Sequence, residues 1–218
     1  MEINELQKWN IAGDIISNFN AQSLIRQLAN IKLPSGVNFK SSKIDKPIPY
    51  KVVLIDFEGS PAVLMGLLIQ DTILTYFIED YEYLTQLHLV ILEVFSITRE
   101  LQFFGFSIYE QQELLRIYTS LNEQGYDLSK YKFITSSPII NLQKHKSESV
   151  AEAVFSTNPN VNVIGDPLFR NIKVIDKLFM TMRIEEIITH NRTCLLNESI
   201  ILHRWVRNYN LSTIKRAR

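Results

Sequence analysis

The sequence predicts a mixed α/β domain in which helices flank a central sheet, and three observations lead there. A β-branched run, Val52-Val53-Leu54-Ile55, has the make-up of a strand buried on both faces and stops at Gly59-Ser60-Pro61. Residues 81–101 place Leu84, Leu87, Ile91, Val94 and Thr98 at spacings of three and four, the pattern of a helix enclosed by the fold. The order of segments along the chain is three strands, helix, strand, helix, strand, then helices, which implies a mixed sheet. With 218 residues, 46% hydrophobic and 21% charged, the chain is long enough for one domain with a real core. The same composition excludes the disordered, collagen-like and coiled-coil classes.

Each element has its own warrant. Residues 1–49 read as an amino-terminal extension and linker: a helix over about 21–31, then Leu33-Pro34-Ser35-Gly36, then the polar Ser41-Ser42-Lys43 stretch ending at Pro47 and Pro49. The domain itself is expected over 50–218, with the Val52 run as a central strand. Two apolar runs, 63–70 and 72–78, read as strands joined at Gln70-Asp71, although Pro61 at a first helical position also permits a helix there. After the long helix, Phe103-Phe104-Gly105-Phe106 reads as a short buried strand. Residues 107–122 form a second helix with Leu114, Leu115, Tyr118 and Leu121 on one side. Residues 131–135 are expected to be a further strand, ended by Ser136-Ser137-Pro138. Beyond it come a helix opened by Ser149-x-x-Glu152, a strand at 161–164, a helix opened by Asp166-Pro167 and a last helix over 199–207, with its continuation to residue 218 left open.

Lys and Arg (23) balance Asp and Glu (23), yet the charge is graded along the chain. Residues 1–50 carry six basic and four acidic groups, residues 51–182 ten and sixteen, and residues 183–218 seven and three. An acidic middle suits cations and a basic tail suits phosphate, although charges of this size also sit on ordinary solvated surfaces. The single cysteine, Cys194, can form no internal disulfide, and no Cys/His cluster with zinc-ligand spacing is visible. The acidic start, Met1-Glu2-Ile3-Asn4-Glu5, lacks the features of a signal peptide, and no apolar stretch approaches a membrane span. A reducing, cytoplasmic setting without a membrane partner is therefore expected.

Several common sites are absent from the sequence: the phosphate loop, Gly-x-Gly-x-x-Gly and His-Glu-x-x-His. Gly105-Phe106-Ser107-Ile108-Tyr109 half matches a nucleophile elbow, but Tyr109 stands where a second glycine relieves crowding. The informative pair is Asp56 and Glu58. Side chains alternate along a strand, so these two carboxylates, at the end of a buried run, face the same way. Two such charges repel unless a cation lies between them, and hard divalent ions favour oxygen ligands. The competing explanation is a strand that has already reached solvent at Asp56.

The segment Tyr50-Lys-Val-Val-Leu-Ile-Asp56-Phe-Glu58-Gly-Ser-Pro61, two strands, a long helix and Phe103-Phe-Gly-Phe-Ser-Ile-Tyr-Glu110 resembles the front half of the DEDD 3′–5′ exonucleases, a branch of the ribonuclease-H-like superfamily. The resemblance spans 50 to about 137, roughly two-fifths of the chain, and rests on motif and element order. It implies a ribonuclease-H-like sheet, with 131–135 as its fifth strand, and two-metal hydrolysis of phosphodiesters with Mg²⁺ or Mn²⁺, the ions about 3.5–4 Å apart. Asp56, Glu58, Glu110 and Glu198 are then the metal-ligating carboxylates. Asp56 bridges, Glu58 and Glu198 share one ion, and Glu110 holds the second through water. His190, placed before the last helix, is then the general base. Glu110 departs from the family's aspartate, and Ser107-x-x-Glu110 is equally a capping box. Asn197 stands where the closing aspartate belongs, while Glu198 faces about 100° away around the helix, which predicts weakened metal affinity.

The tail interleaves His203, Arg204, Trp205, Arg207 and Tyr209, then Lys215, Arg216 and Arg218, as a surface gripping phosphates and stacking bases does. On a helix Trp205 also packs readily onto a sheet, with the arginines reaching out. Three functions remain in view. One is a metal-dependent exonuclease on single-stranded DNA or RNA, weak or inactivated by the Asn197 departure. Another is a non-catalytic module on the same fold that binds nucleic acid or a protein partner. The third is an unrelated α/β interaction domain in which Asp56 and Glu58 are merely polar.

Overall fold

A computed structural model describes residues 20–143, 149–157 and 174–216 of the chain. Its helices are α1 (Gln22–Ala29), α2 (Leu84–Thr98), α3 (Tyr109–Glu123), α4 (Val150–Thr157), α5 (Val174–Met180) and α6 (Ile184–Arg216). Its strands are β1 (Val37–Lys43), β2 (Val52–Glu58), β3 (Leu64–Ile69), β4 (Thr72–Ile78), β5 (Gln102–Gly105) and β6 (Ile140–Asn141). They form one mixed sheet in the order β1-β4-β3-β2-β5-β6. β1, β4, β3 and β2 run antiparallel to their neighbours, while β2, β5 and β6 run parallel. Among the described residues no helix is long and apolar enough to cross a membrane.

Burial follows from strand alternation. Val53, Ile55 and Phe57 of β2 join the core shared with α2, α3 and α5, whereas Val52 and Leu54 join the core shared with α4 and α6. Asp56 and Glu58 continue the second row, so they point toward α6, and every residue of β2 is buried. The strand has not reached solvent at Asp56. The hairpin read at Gln70-Asp71 is present, with Ile69 paired to Thr72 and Gln70 at φ 51°.

Three elements differ from expectation. The polar stretch read as linker contains β1, which pairs with β4 from Val37 opposite Ile78 to Lys43 opposite Thr72. It is an edge strand, where lysines discourage further pairing, and its half-exposed composition hid it from a hydrophobicity pattern. Residues 131–135 are not a strand but part of a 3₁₀ helix, Ser129–Thr135. Tyr131 and Ile134, three apart, are its buried positions, and the Tyr131 hydroxyl and Lys130 both bond Glu93 of α2. The last parallel strand is instead the two-residue β6. The final helix begins at Ile184 rather than 199 and so carries His190 and Cys194 within it. The capping box at the start of α4 is formed, Glu152 accepting from Ser149 N–H at 2.8 Å. The strand expected at 161–164 and the start at Asp166-Pro167 lie outside the described residues.

Candidate metal centre

The site is assembled by β2, β3, α3 and α6. Gly66 of β3 stands directly opposite Asp56, and on an antiparallel ladder such partners share a face. A Cβ on Gly66 would lie 1.8 Å from Asn191 Oδ1 and 2.9 Å from Leu195, so the missing side chain is what lets α6 settle on the sheet. Asn191, fully buried there, donates from Nδ2 to the Asp56 backbone oxygen at 3.1 Å and to Asp56 Oδ2 at 3.0 Å. That clasp fixes the height and rotation of α6. Glu198 lies seven residues further along, two turns on, and so returns to the sheet-facing side.

Glu198 is fully buried, and among the described residues neither of its carboxyl oxygens has a hydrogen-bond partner. Burial pushes its carboxyl well above the usual carboxylate range, and the negative charges of Asp56, Glu110 and Glu58 push it further. Glu113 shows how this fold treats a buried acid that is merely structural. It too is fully buried, but Oε1 accepts from Ala62 N–H at 2.8 Å and Oε2 lies 2.6 Å from Arg116 Nη2. Glu198 has neither bond. An ionised carboxylate without compensation costs several kcal/mol in such a place, so it must hold a proton or face a cation.

Glu110 makes the capping-box contact its sequence context allowed. Its Oε2 accepts from Ser107 N–H at 3.0 Å and from Ser107 Oγ at 3.1 Å, which caps α3. It is also buried beside Gly105, where a Cβ would come 2.8 Å from Glu110 Cγ. Desolvation raises its carboxyl to about 7, against the lowering effect of the Ser107 bonds. Its charge reaches Glu198.

The remaining candidates fall into two groups. His190, read as preceding the last helix, lies inside α6, buried, with Nε2 3.6 Å from Glu58 Oε1. Asn197 is buried on α6, while the adjacent Glu198 is the residue electrostatically linked to the strand-end acids. Arg204 is on α6, partly buried and beyond the carboxylates. Arg207, Lys215 and Arg216 belong to the helix but their side chains lie outside the described residues, as does all of Arg218. Asp56, Glu110 and Glu58 thus act electrostatically on Glu198, whereas among the described residues the three side chains whose ligand atoms come within 4.8 Å of one another are Glu58, His190 and Cys194. Sequence reasoning missed Asn191, whose signal is its spacing of seven from Glu198. It also passed over Cys194, whose signal is its spacing of four from His190.

The four carboxylates offer hard oxygen donors, and Glu198 is buried without a hydrogen bond among the described residues, so their chemistry suits a divalent cation such as Mg²⁺ or Mn²⁺, whereas no three of them bring donor atoms within 4.8 Å of one another. No protein-family model matches the chain, and neither the curated proteins nor the solved structures contain a significant match.

Proposed function

We propose that this chain is a ribonuclease-H-like, metal-dependent nuclease that trims single-stranded DNA or RNA from the 3′ end. The observation that carries the reading is Glu198: a fully buried carboxyl on α6 without a hydrogen bond, under the charges of Asp56, Glu58 and Glu110 from two other elements. Strand order adds support. Leaving aside edge strand β1, the sheet runs third-second-first-fourth-fifth in chain order, with the second strand antiparallel, and the carboxylates lie at the end of the first.

Asp56, Glu58, Glu110 and Glu198 would hold the cations. Bound there, the ions would activate water and stabilise the departing oxygen of a phosphodiester. The chain's own residues set the stage. Asn191 holds the Asp56 carboxylate through Oδ2, Ser107 holds Glu110 through its Oε2, and both side chains are thereby aimed before any ligand arrives. His190, with Nε2 3.6 Å from Glu58 Oε1, would accept a proton from the attacking water. The Tyr109 hydroxyl donates to the Gly59 carbonyl and pins the start of α3 to the end of β2, holding Glu110 beside the strand-end pair.

The test is degradation of end-labelled single strands with Mn²⁺, together with calorimetric titration of the metal. Mn²⁺-dependent shortening from the 3′ end, abolished in Asp56→Ala, is expected. A purified protein that binds no Mn²⁺ and leaves the strands intact would sink the proposal and leave a non-catalytic module on this fold.

A further inference from the structure

A second set of ligands stands beside the oxygen-lined cluster. His190 and Cys194, four apart on α6, lie one above the other, with Cys194 Sγ 3.9 Å from His190 Nε2 and 4.0 Å from Nδ1. Across from them, Glu58 Oε1 is 3.6 Å from His190 Nε2. One donor atom from each of the three residues lies within 4.8 Å of the other two. In a tetrahedral zinc site, with bonds of about 2.3 Å to sulfur and about 2.0–2.1 Å to nitrogen and oxygen, neighbouring donors stand about 3.4–3.6 Å apart. The two separations to His190 Nε2 need to close by only a few tenths of an ångström, and Glu58 and Cys194 offer donors within 4.8 Å of each other. Glu58 and His190 are buried and Cys194 is half-buried, so the donors are already largely withdrawn from water.

The donor set decides which ion. A thiolate, an imidazole and a single carboxylate suit zinc, whereas magnesium and manganese prefer oxygen throughout. Three protein ligands leave one position for water, an open zinc coordination. Zinc binding takes the proton from the Cys194 thiol and releases it to solvent. Glu58 belongs to both sets, so a zinc ion held by His190 and Cys194 draws this carboxylate away from the Asp56 cluster.

We propose that Glu58, His190 and Cys194 form a zinc site that shares Glu58 with the nuclease centre and inhibits it when filled. Zinc binding stands on the three side chains alone, whereas the inhibition rests on the nuclease reading.

Cobalt is the probe. Cys194 is the only cysteine in the chain, so a thiolate-to-cobalt charge-transfer band in the near ultraviolet can arise from no other residue. Titrating the metal-free full-length protein with Co²⁺ is expected to produce that band, and Zn²⁺ to displace it. The band is lost in Cys194→Ser and kept in Glu198→Gln. A wild-type protein that shows no such band overturns the site, as does a band that survives Cys194→Ser. With Mn²⁺ present, Zn²⁺ is expected to slow strand degradation by about tenfold or more in the wild type and by less than about twofold in Cys194→Ser. Equal inhibition of the two overturns the shared role of Glu58. A cobalt band in a protein that degrades nothing supports the zinc site and removes the nuclease reading, so the two failures are told apart.

Discussion

At the scale of single residues, Glu198 separates a stability role from a binding role. Glu113 has a backbone donor and an arginine that partly offset the upward push of burial on its carboxyl, whereas Glu198 is buried among like charges with neither and weakens the metal-free fold. Glu198→Gln keeps the shape and removes the charge. In chelator at pH 8 the variant is expected to melt above the wild type by about 2–8 °C, corresponding to about 1–2 kcal/mol. Its Mn²⁺ affinity should fall by about tenfold or more, because one anionic ligand is gone. A variant that melts below the wild type in chelator would show that the carboxyl has a stabilising partner, and the metal reading of Glu198 would lose its basis.

At the scale of elements, the site exists because α6 lies close against β3 beside Asp56. The contact depends on Gly66, since the Asn191 amide occupies the space that a Cβ would need. Gly66→Ala is expected to cost roughly 1–3 kcal/mol by overpacking, read as a lower urea midpoint. Because it lifts the helix that carries His190, Cys194 and Glu198, it should weaken Mn²⁺ and Co²⁺ binding together. An alanine at 66 with unchanged stability and metal binding would mean that α6 does not seat as described. Sheet alternation also explains why Asp56 and Glu58 were legible early. Period two fixes their common face whatever packs above it.

At the scale of the whole molecule, the proposed function has protons and cations competing for the same carboxylates, and stability should record the competition. In the folded, metal-free protein Glu110 titrates near 7 against an ordinary 4.5, and Glu198 is raised as well. The native state therefore binds more protons than the unfolded chain between these values. The stability this contributes is complete below about 4.5 and is lost as pH rises through about 7. His88, buried and lowered to about 4 from 6.5, acts in the opposite sense, its contribution being lost as pH falls through that window. Comparing melting with and without Mn²⁺ at each pH removes the His88 effect. The Mn²⁺-induced rise in Tm is expected to be larger at pH 8 than at pH 5, and a rise that does not grow with pH would argue against a cation among these acids. Strands β2 to β5, helices α2 and α3, and the Asp56-Glu58 pair were legible because short-range periodicity and turn chemistry specify them. β1 and the 3₁₀ helix at Ser129–Thr135 were not, since an edge position and a single anchor at Glu93 leave no period in the chain. The sequence alone determined the mixed α/β class and the shared face of two acids, because both depend on local geometry. Only the tertiary structure decided that α6 turns Glu198 toward those acids and lays His190 and Cys194 against Glu58, because a helix's rotation is set by what it packs on, here Gly66 and the backbone of Asp56.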